Sequence, residues 1–200
     1  MSIISDISSF IERKIIRTDK ARWDLRFKNG WSYLENIEEL PRFSIIAGYV
    51  RFLKTNPDVL EMGCAEGIQT ARTGKDAYRS WLGTDVSPTA TELANQRFGD
   101  EKTIFKPADM NDFESDQKFD LIIINEAIYY LTPIKEKMIN KYIPMLKPDG
   151  FMIISMNVGK DNDHETRWGI LSEVFDLIDA TYSETTKGGW NVKVLKPKAV

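Results

Sequence analysis

Cysteine and histidine are nearly absent: Cys64 and His164 are the single representatives of their kinds in 200 residues. One cysteine excludes an internal disulfide, and one thiol with one imidazole cannot assemble a thiolate or imidazole metal site. Long apolar runs are missing too, since none approaches the ~20 residues that a membrane span needs. The opening run MSIISDISSFIERKIIR lacks the basic-then-apolar order of a secretory signal, so a cytoplasmic location is expected. A surplus of positive charge is also lacking, with 27 Lys and Arg against 30 Asp and Glu and a formal net charge of −3. That balance offers no general attraction to a phosphate backbone or an anionic lipid surface, so neither nucleic acid nor membrane is an expected partner. No internal repeat or low-complexity stretch occurs, which excludes solenoids and flexible linkers.

What remains is the composition of a protein that folds in water, 42% hydrophobic and 28% charged. Two hundred residues suit a single domain with one core, spanning residues 1–200. Within it, residues 1–56 precede the first strand-like run. There Ile3, Ile7, Phe10, Ile11 and Ile15 recur at three and four, the period of an amphipathic helix. Trp23, Trp31, Tyr33 and Phe43 follow, and the segment reads as a helical cap on a core formed by residues 57–200.

From Asp58 onward short apolar runs alternate with longer periodic ones. Strands are expected at Val59–Met62, Trp81–Val86, Thr103–Phe105, Phe119–Asn125 and Phe151–Met156. Helices are expected near Gly67–Thr73, Pro88–Phe98 and Pro133–Leu146, the last with Thr132 as N-cap and Pro133 at its first position. Such alternation predicts a doubly wound, mostly parallel sheet with helices on both faces. A further helix, Glu165–Val174, precedes strands at Leu177–Glu184 and Asn191–Lys196, and Gly188-Gly189 between these suggests a hairpin. The expected α/β fold therefore has seven strands, with the last antiparallel.

The most informative run is Asp58-Val-Leu-Glu-Met-Gly-Cys-Ala-Glu-Gly67, an apolar strand followed by small residues at 63, 65 and 67. A backbone must approach something closely there, and in doubly wound folds the ligand lies at the carboxyl ends of the strands. Ile68 stands where the dinucleotide fingerprint G-x-G-x-x-G needs its third glycine, which argues against a nicotinamide oxidoreductase. The pattern E-x-G-x-A-x-G instead resembles the first motif of class I S-adenosylmethionine-dependent methyltransferases, with Ala65 in place of the usual middle glycine. Asp85, ending the second strand about 20 residues on, is placed to accept both ribose hydroxyls. Ala108-Asp109-Met110 matches the family position for the adenine, Phe119–Asn125 resembles the fourth motif, and Leu146-Lys-Pro-Asp-Gly resembles its L-K-P-G-G turn. The resemblance covers residues 57–156 and implies S-adenosylmethionine as cofactor, held by Glu61, Gly63, Cys64, Ala65, Gly67, Asp85, Val86, Asp109, Met110 and Asn125. Arg42 could add a forked pair to the methionine carboxylate, with surface pairing as the weightier alternative. For Asp109, plain solvation of an acidic loop is the alternative.

Methyl transfer from a sulfonium is an in-line displacement in which positioning supplies most of the rate. A hydroxyl acceptor also needs a base, whereas a neutral amine needs only orientation and an outlet for its proton. Glu126, Tyr129 and Tyr130 follow the fourth strand and could orient such a group, although neighbours on a helix do not share a face, so one tyrosine at most is expected in the site. The run Glu126–Leu131 is similar to one in nodulation-type N-methyltransferases, over too few residues to carry a substrate. His164 is the one imidazole that could serve as base, or else a solvated helix-start residue. Trp31 and Trp168 could line an acceptor site, or pack in the core. Only Glu126 among acids follows the fourth strand, so no metal is expected. The sequence thus predicts methyl transfer to a hydroxyl or amine of a small molecule, with a non-catalytic cofactor- or partner-binding protein of the same fold as the alternative.

Overall fold

A computed structural model describes residues 19–30, 33–159 and 163–199. The helix expected around Ile3–Ile15 and the candidate residue Trp31 lie outside the described residues.

Seven strands form one sheet in the order β3-β2-β1-β4-β5-β7-β6. They are β1 (Asp58–Met62), β2 (Ser80–Asp85), β3 (Thr103–Pro107), β4 (Phe119–Asn125), β5 (Leu146–Asn157), β6 (Phe175–Thr185) and β7 (Gly188–Pro197). The pairs among β1 to β5 are parallel, while β7 runs antiparallel to both β5 and β6. The order reverses between β1 and β4, which places a crevice at their carboxyl ends.

Strand β4 shows why the centre of the sheet is buried on both faces. In β4, Leu121 and Ile123 face one core and Ile122 and Ile124 the other, all fully buried. Alternation at period two sends successive side chains to opposite layers, so a continuous apolar run is required where helices cover both. One layer packs Ile46 and Val50 of α2 (Leu40–Leu53) and Ala94 of α4 (Pro88–Phe98) on β1, β4 and β7. The opposite layer packs Trp168 and Leu171 of α7 (His164–Val174) with Met138, Tyr142 and Met145. A third, smaller cluster joins Phe27 of α1 (Asp19–Lys28) to Phe43, Ile68 and Ala90, fastening the cap to the body.

Several boundaries differ from expectation, each for a local reason. Ser87 caps α4, accepting from the Ala90 amide at 3.2 Å. The helix expected at Pro133–Leu146 starts one residue later, because Pro133 has an extended ψ of 136° and becomes the N-cap of α5 (Ile134–Lys137). It is then interrupted by a π turn, Met138–Tyr142, before α6 (Ile143–Met145). Strand β5 is paired from Leu146, but its register jumps from Phe119↔Leu146 to Leu121↔Phe151, so residues 147–150 loop out as the predicted turn. The hairpin turns at Thr186-Lys187, because Gly188 is already paired to Thr185. That puts Lys187 at the tip and Trp190 on β7 beside Asn157.

Candidate functional site

A cavity of about 650 Å³ opens at the carboxyl ends of β1, β2 and β4, within the ~300–1,000 Å³ range of ligand sites. One wall comes from strand ends, the other from α1, the start of α2 and the β6–β7 hairpin.

The glycine-rich loop forms the floor. Gly63 is left-handed at φ 77°, and its amide donates to the Thr84 carbonyl at 2.7 Å. Ala65 is left-handed as well, at φ 47°, which turns its amide toward Asp85 Oδ2 at 3.0 Å. The other oxygen, Oδ1, accepts from the Ser87 amide at 2.9 Å, so both ends of the carboxylate are fixed by backbone. Asp85 is buried with a pKa raised to about 6, chiefly by desolvation against these hydrogen bonds. Gly63, Cys64, Ala65, Asp85 and Val86 all line the cavity. Gly67 does not belong to this wall; it is the left-handed N-cap of α3 (Ile68–Thr73), and a Cβ there would lie 3.0 Å from Phe98 and 3.1 Å from Phe105. Burial and the charges of Asp85 and Glu61 push the Cys64 thiol well up, leaving it unreactive.

Glu61 sits fully buried below the loop, and its Oε2 accepts from Trp81 Nε1 at 3.1 Å and Thr70 Oγ1 at 3.5 Å. Desolvation and the nearby Asp85 raise its pKa to about 8. A carboxyl with a raised folded pKa contributes its full stability below the unfolded value and loses it as pH climbs through the folded one. For Asp85 the loss runs from 3.8 through 6, and for Glu61 from 4.5 through 8. Stability of the ligand-free protein is therefore expected to fall between pH 5 and 8, and Glu61→Gln to flatten that fall. Urea midpoints across this range are the check, and equal slopes in both proteins would show that Glu61 is ionised throughout.

Asp109 and Met110 line the cavity after β3. Asp109 is exposed, and its Oδ1 accepts from the Asn111 amide at 2.8 Å and side chain at 3.1 Å, so the acidic loop turns on this residue. Asn125 closes β4, where its Oδ1 lies 2.7 Å from Ser155 Oγ and accepts from Arg42 Nε at 3.1 Å. Arg42 is 3% exposed, so surface pairing is corrected to a buried pair: its guanidinium donates to Glu39 Oε2 at 2.6 Å inside the cavity wall.

The catalytic candidates gather at the end of β4. Glu126 adopts the left-handed region at φ 57°, with its amide donating to Ser155 Oγ at 3.1 Å. Its carboxylate accepts from the Tyr129 hydroxyl at 3.3 Å, and that hydroxyl accepts from the Asn157 amide at 2.7 Å. Burial raises the Glu126 pKa against the pull of Arg42, and burial with Glu126 nearby raises that of Tyr129. Tyr129 and Tyr130 both line the cavity, contrary to the expectation of one at most. They lie on a single 3-10 turn, Ile128–Tyr130, that buries Ile128, packs Tyr129 half-buried against the core and leaves Tyr130 exposed. Tyr130 meets Trp23 edge to face at 5.9 Å.

The two candidates after β5 are not brought to the cavity. His164 opens α7 and Trp168 packs in the core, its ring 4.2 Å from Lys193 Nζ. Helix α7 lies on the sheet face rather than at the strand ends. Residues that sequence reasoning missed are Glu39, Phe27, Asn157, Lys187 and Trp190. The three-residue spacing of Glu39 and Arg42 was a legible sign of the pair. Trp190 carried none, since only the hairpin register brings its ring to 5.6 Å from the Arg42 guanidinium. No group of three metal-binding side chains occurs among the described residues.

The family model for nodulation protein S, NodS, matches residues 16–186. Nodulation protein S of Sinorhizobium fredii is 30% identical over 131 residues, 64% of this chain and 58% of that protein. The match to its Rhizobium tropici counterpart spans 47% of that protein, so the chain spans about half the length of these curated relatives. Among solved structures, the N-methyltransferase NodS from Bradyrhizobium japonicum WM9 in complex with S-adenosyl-L-homocysteine superposes with a TM-score of 0.69 at 21% identity, over 96% of this chain and 98% of that one. A Burkholderia thailandensis 1,6-didemethyltoxoflavin-N1-methyltransferase gives 0.70 at 15% identity, over 100% and 92%. At these identities the structural likeness carries the fold.

Proposed function

The chain belongs to the nodulation protein S family, and from that premise we propose that it transfers a methyl group from S-adenosylmethionine to an amine of a small-molecule acceptor. The observation that carries this reading is Asp85: a carboxylate clamped by two backbone amides, at a strand end, in the wall of a cavity floored by Gly63 and Ala65. A rigid pair of acceptor oxygens suits vicinal hydroxyls, and the left-handed turns keep the floor free of side chains. The residues present therefore fit the cofactor. When bound, S-adenosylmethionine supplies the electrophilic methyl.

The chain's own residues do the rest. Asp85 takes the ribose, Asp109 and Met110 flank the adenine side, and Arg42 with Asn125 forms the polar end for the methionine portion. Glu126 faces the remaining space, where its carboxylate can orient an amine and receive its proton. The wall carries Glu39, Asp85, Asp109 and Glu126 against Arg42 and Lys187, an acidic excess that draws amines in. No imidazole lines it among the described residues, which favours an amine over a hydroxyl in need of a strong base. The cavity continues past Glu126 to Tyr129 and Trp23, and this open space favours transfer over a binding-only role.

Calorimetric titration with S-adenosylmethionine and S-adenosylhomocysteine, with NADH as control, tests the reading. Micromolar binding of both sulfur ligands and none of NADH is expected; binding of NADH alone would overturn it. Asp85→Ala should weaken the sulfur ligands by about 1 to 3 kcal/mol, roughly five- to 150-fold. An unchanged affinity would remove Asp85 from the ribose.

A further inference from the structure

The cap reaches the cofactor wall by more than its aromatic rings. On α1, Asp24 lies between Trp23, which lines the cavity, and Phe27, which lines it one turn later. Its side chain points the other way, 19% exposed, onto the start of α4. Asp24 Oδ1 accepts from the Ser87 hydroxyl at 2.9 Å and from the Thr89 amide at 3.0 Å, while Oδ2 pairs with Lys28 at 2.8 Å. Ser87 is itself committed on every side. Its Oγ accepts from the Ala90 amide at 3.2 Å, and its amide donates to Asp85 Oδ1 at 2.9 Å. Asp85 Oδ2 in turn holds the Ala65 amide at 3.0 Å. A continuous chain thus runs from the cap helix through Ser87 and Asp85 to the loop under the cavity.

A serine hydroxyl has one proton, and here it goes to Asp24 because the Ala90 amide already occupies the oxygen as a donor. Removing Asp24 leaves that proton without its acceptor and loosens the hydroxyl that caps the Ala90 amide, so the helix start that presents the Ser87 amide to Asp85 is held less firmly. The first-turn amide of Thr89 loses its acceptor in the same stroke. A second tie runs in parallel: Arg97 on the same helix pairs with Glu35 of the cap and lies 3.6 Å from Glu66, next to Ala65. The cap is fastened to the helix that follows the ribose-side acid, at both ends of that helix.

We propose that Asp24 is a positioning residue for the cofactor site: it acts through Ser87 to hold the Asp85 carboxylate in its binding orientation. The inference rests on the reading of Asp85 as the cofactor's ribose acceptor, and two measurements separate the two. The first is titration of the full chain with S-adenosylhomocysteine. Asp24→Ala should weaken binding roughly tenfold, and Asp24→Asn, which keeps an acceptor oxygen, should stay within about threefold of the parent. Lys28→Ala should match the parent, because the Lys28 side chain is 60% exposed and its removal leaves both Ser87 and Thr89 bonded to Asp24. In the Asp24→Ala, Asp85→Ala double variant the affinity should equal that of Asp85→Ala alone, since residues acting through one another are not additive. Additive losses, or an Asp24→Asn variant as weak as Asp24→Ala, would overturn the proposal.

The second measurement needs no ligand. Amide hydrogen exchange at Ala65 and Ser87 should quicken in Asp24→Ala and stay unchanged in Lys28→Ala. Unchanged exchange at both amides in Asp24→Ala would overturn the positioning role. Failure of the parent chain to bind S-adenosylhomocysteine would overturn the cofactor reading, and the proposal with it as a statement about that site. Melting curves of all variants fix a temperature at which each is folded.

Discussion

The Gly63→Ala variant should lose about 2 to 5 kcal/mol of stability, together with its affinity for S-adenosylhomocysteine. Two costs combine at this position. The backbone is left-handed at φ 77°, which a side chain penalises, and a Cβ would lie 2.5 Å from the Cβ of Ala127. Ala127 cannot give way easily. It follows Glu126, whose own φ of 57° fixes the turn after β4, and it is 7% exposed within the core. The Gly63 backbone lies against the Ala127 methyl at the crevice, so the clash must be relieved by separating β1 from β4 at the point where a ligand would enter. For a chain of this length the loss corresponds to a fall in melting temperature of about 5 to 15 °C. Gly48→Ala is the matched control: it lies in α2 with nothing within 4 Å of the added methyl, and there alanine should be neutral or stabilising by up to about 1 kcal/mol. Equal melting curves for the two variants would refute the close-approach account.

Glu126→Gln should lower kcat about a hundredfold or more while leaving S-adenosylhomocysteine affinity within a few-fold. The substitution preserves shape and keeps an acceptor for Tyr129, whose hydroxyl lies 3.3 Å from the carboxylate. What it removes is the capacity to accept a proton. The wild-type carboxyl is poised for that by burial, which raises its pKa, tempered by the Arg42 guanidinium. Sign follows from the role: a base must be ionised, so the wild-type rate should decline as pH drops through the raised pKa, and the variant should lack that acidic limb. Tyr129→Phe should be milder, since it deletes a hydrogen bond to Glu126 without deleting the carboxylate. If Glu126→Gln retains near-full turnover with a small amine acceptor, the proton leaves by water and Glu126 merely shapes the wall.

Much of this arrangement is legible in the sequence because strands with helices on both faces write themselves as apolar runs between glycines and acids. Val59–Met62 and Phe119–Asn125 are found within a residue, and Gly63, Ala65 and Asp85 lie where their spacing puts them. Residues whose place depends on tertiary register are less visible. The π turn Met138–Tyr142 has the same apolar spacing as an ordinary helix, so its widening leaves no trace in the pattern. Tyr129 and Tyr130 read as helical neighbours until the chain is seen to make one 3-10 turn there. Trp168 has the right residue type for an acceptor wall, but α7 lies along the sheet face and spends the ring on the core. Trp190 joins the cavity only because the hairpin folds over the strand ends, which no local signal encodes.

The cavity has two walls of different descent within the chain. The strand-end wall, from Gly63 to Glu126, is locked to the sheet by hydrogen bonds to Thr84, Ser87 and Ser155, and little in it can change without cost to folding. The facing wall, from Trp23 and Tyr33 to the Lys187 tip of the hairpin, is built of a helix and a turn that the sheet does not need in order to pair. Sequence drift among the cavity-facing side chains of the cap and hairpin, Asp24 with its tie to Ser87 excepted, can therefore reshape what the cavity admits while the floor stays as it is.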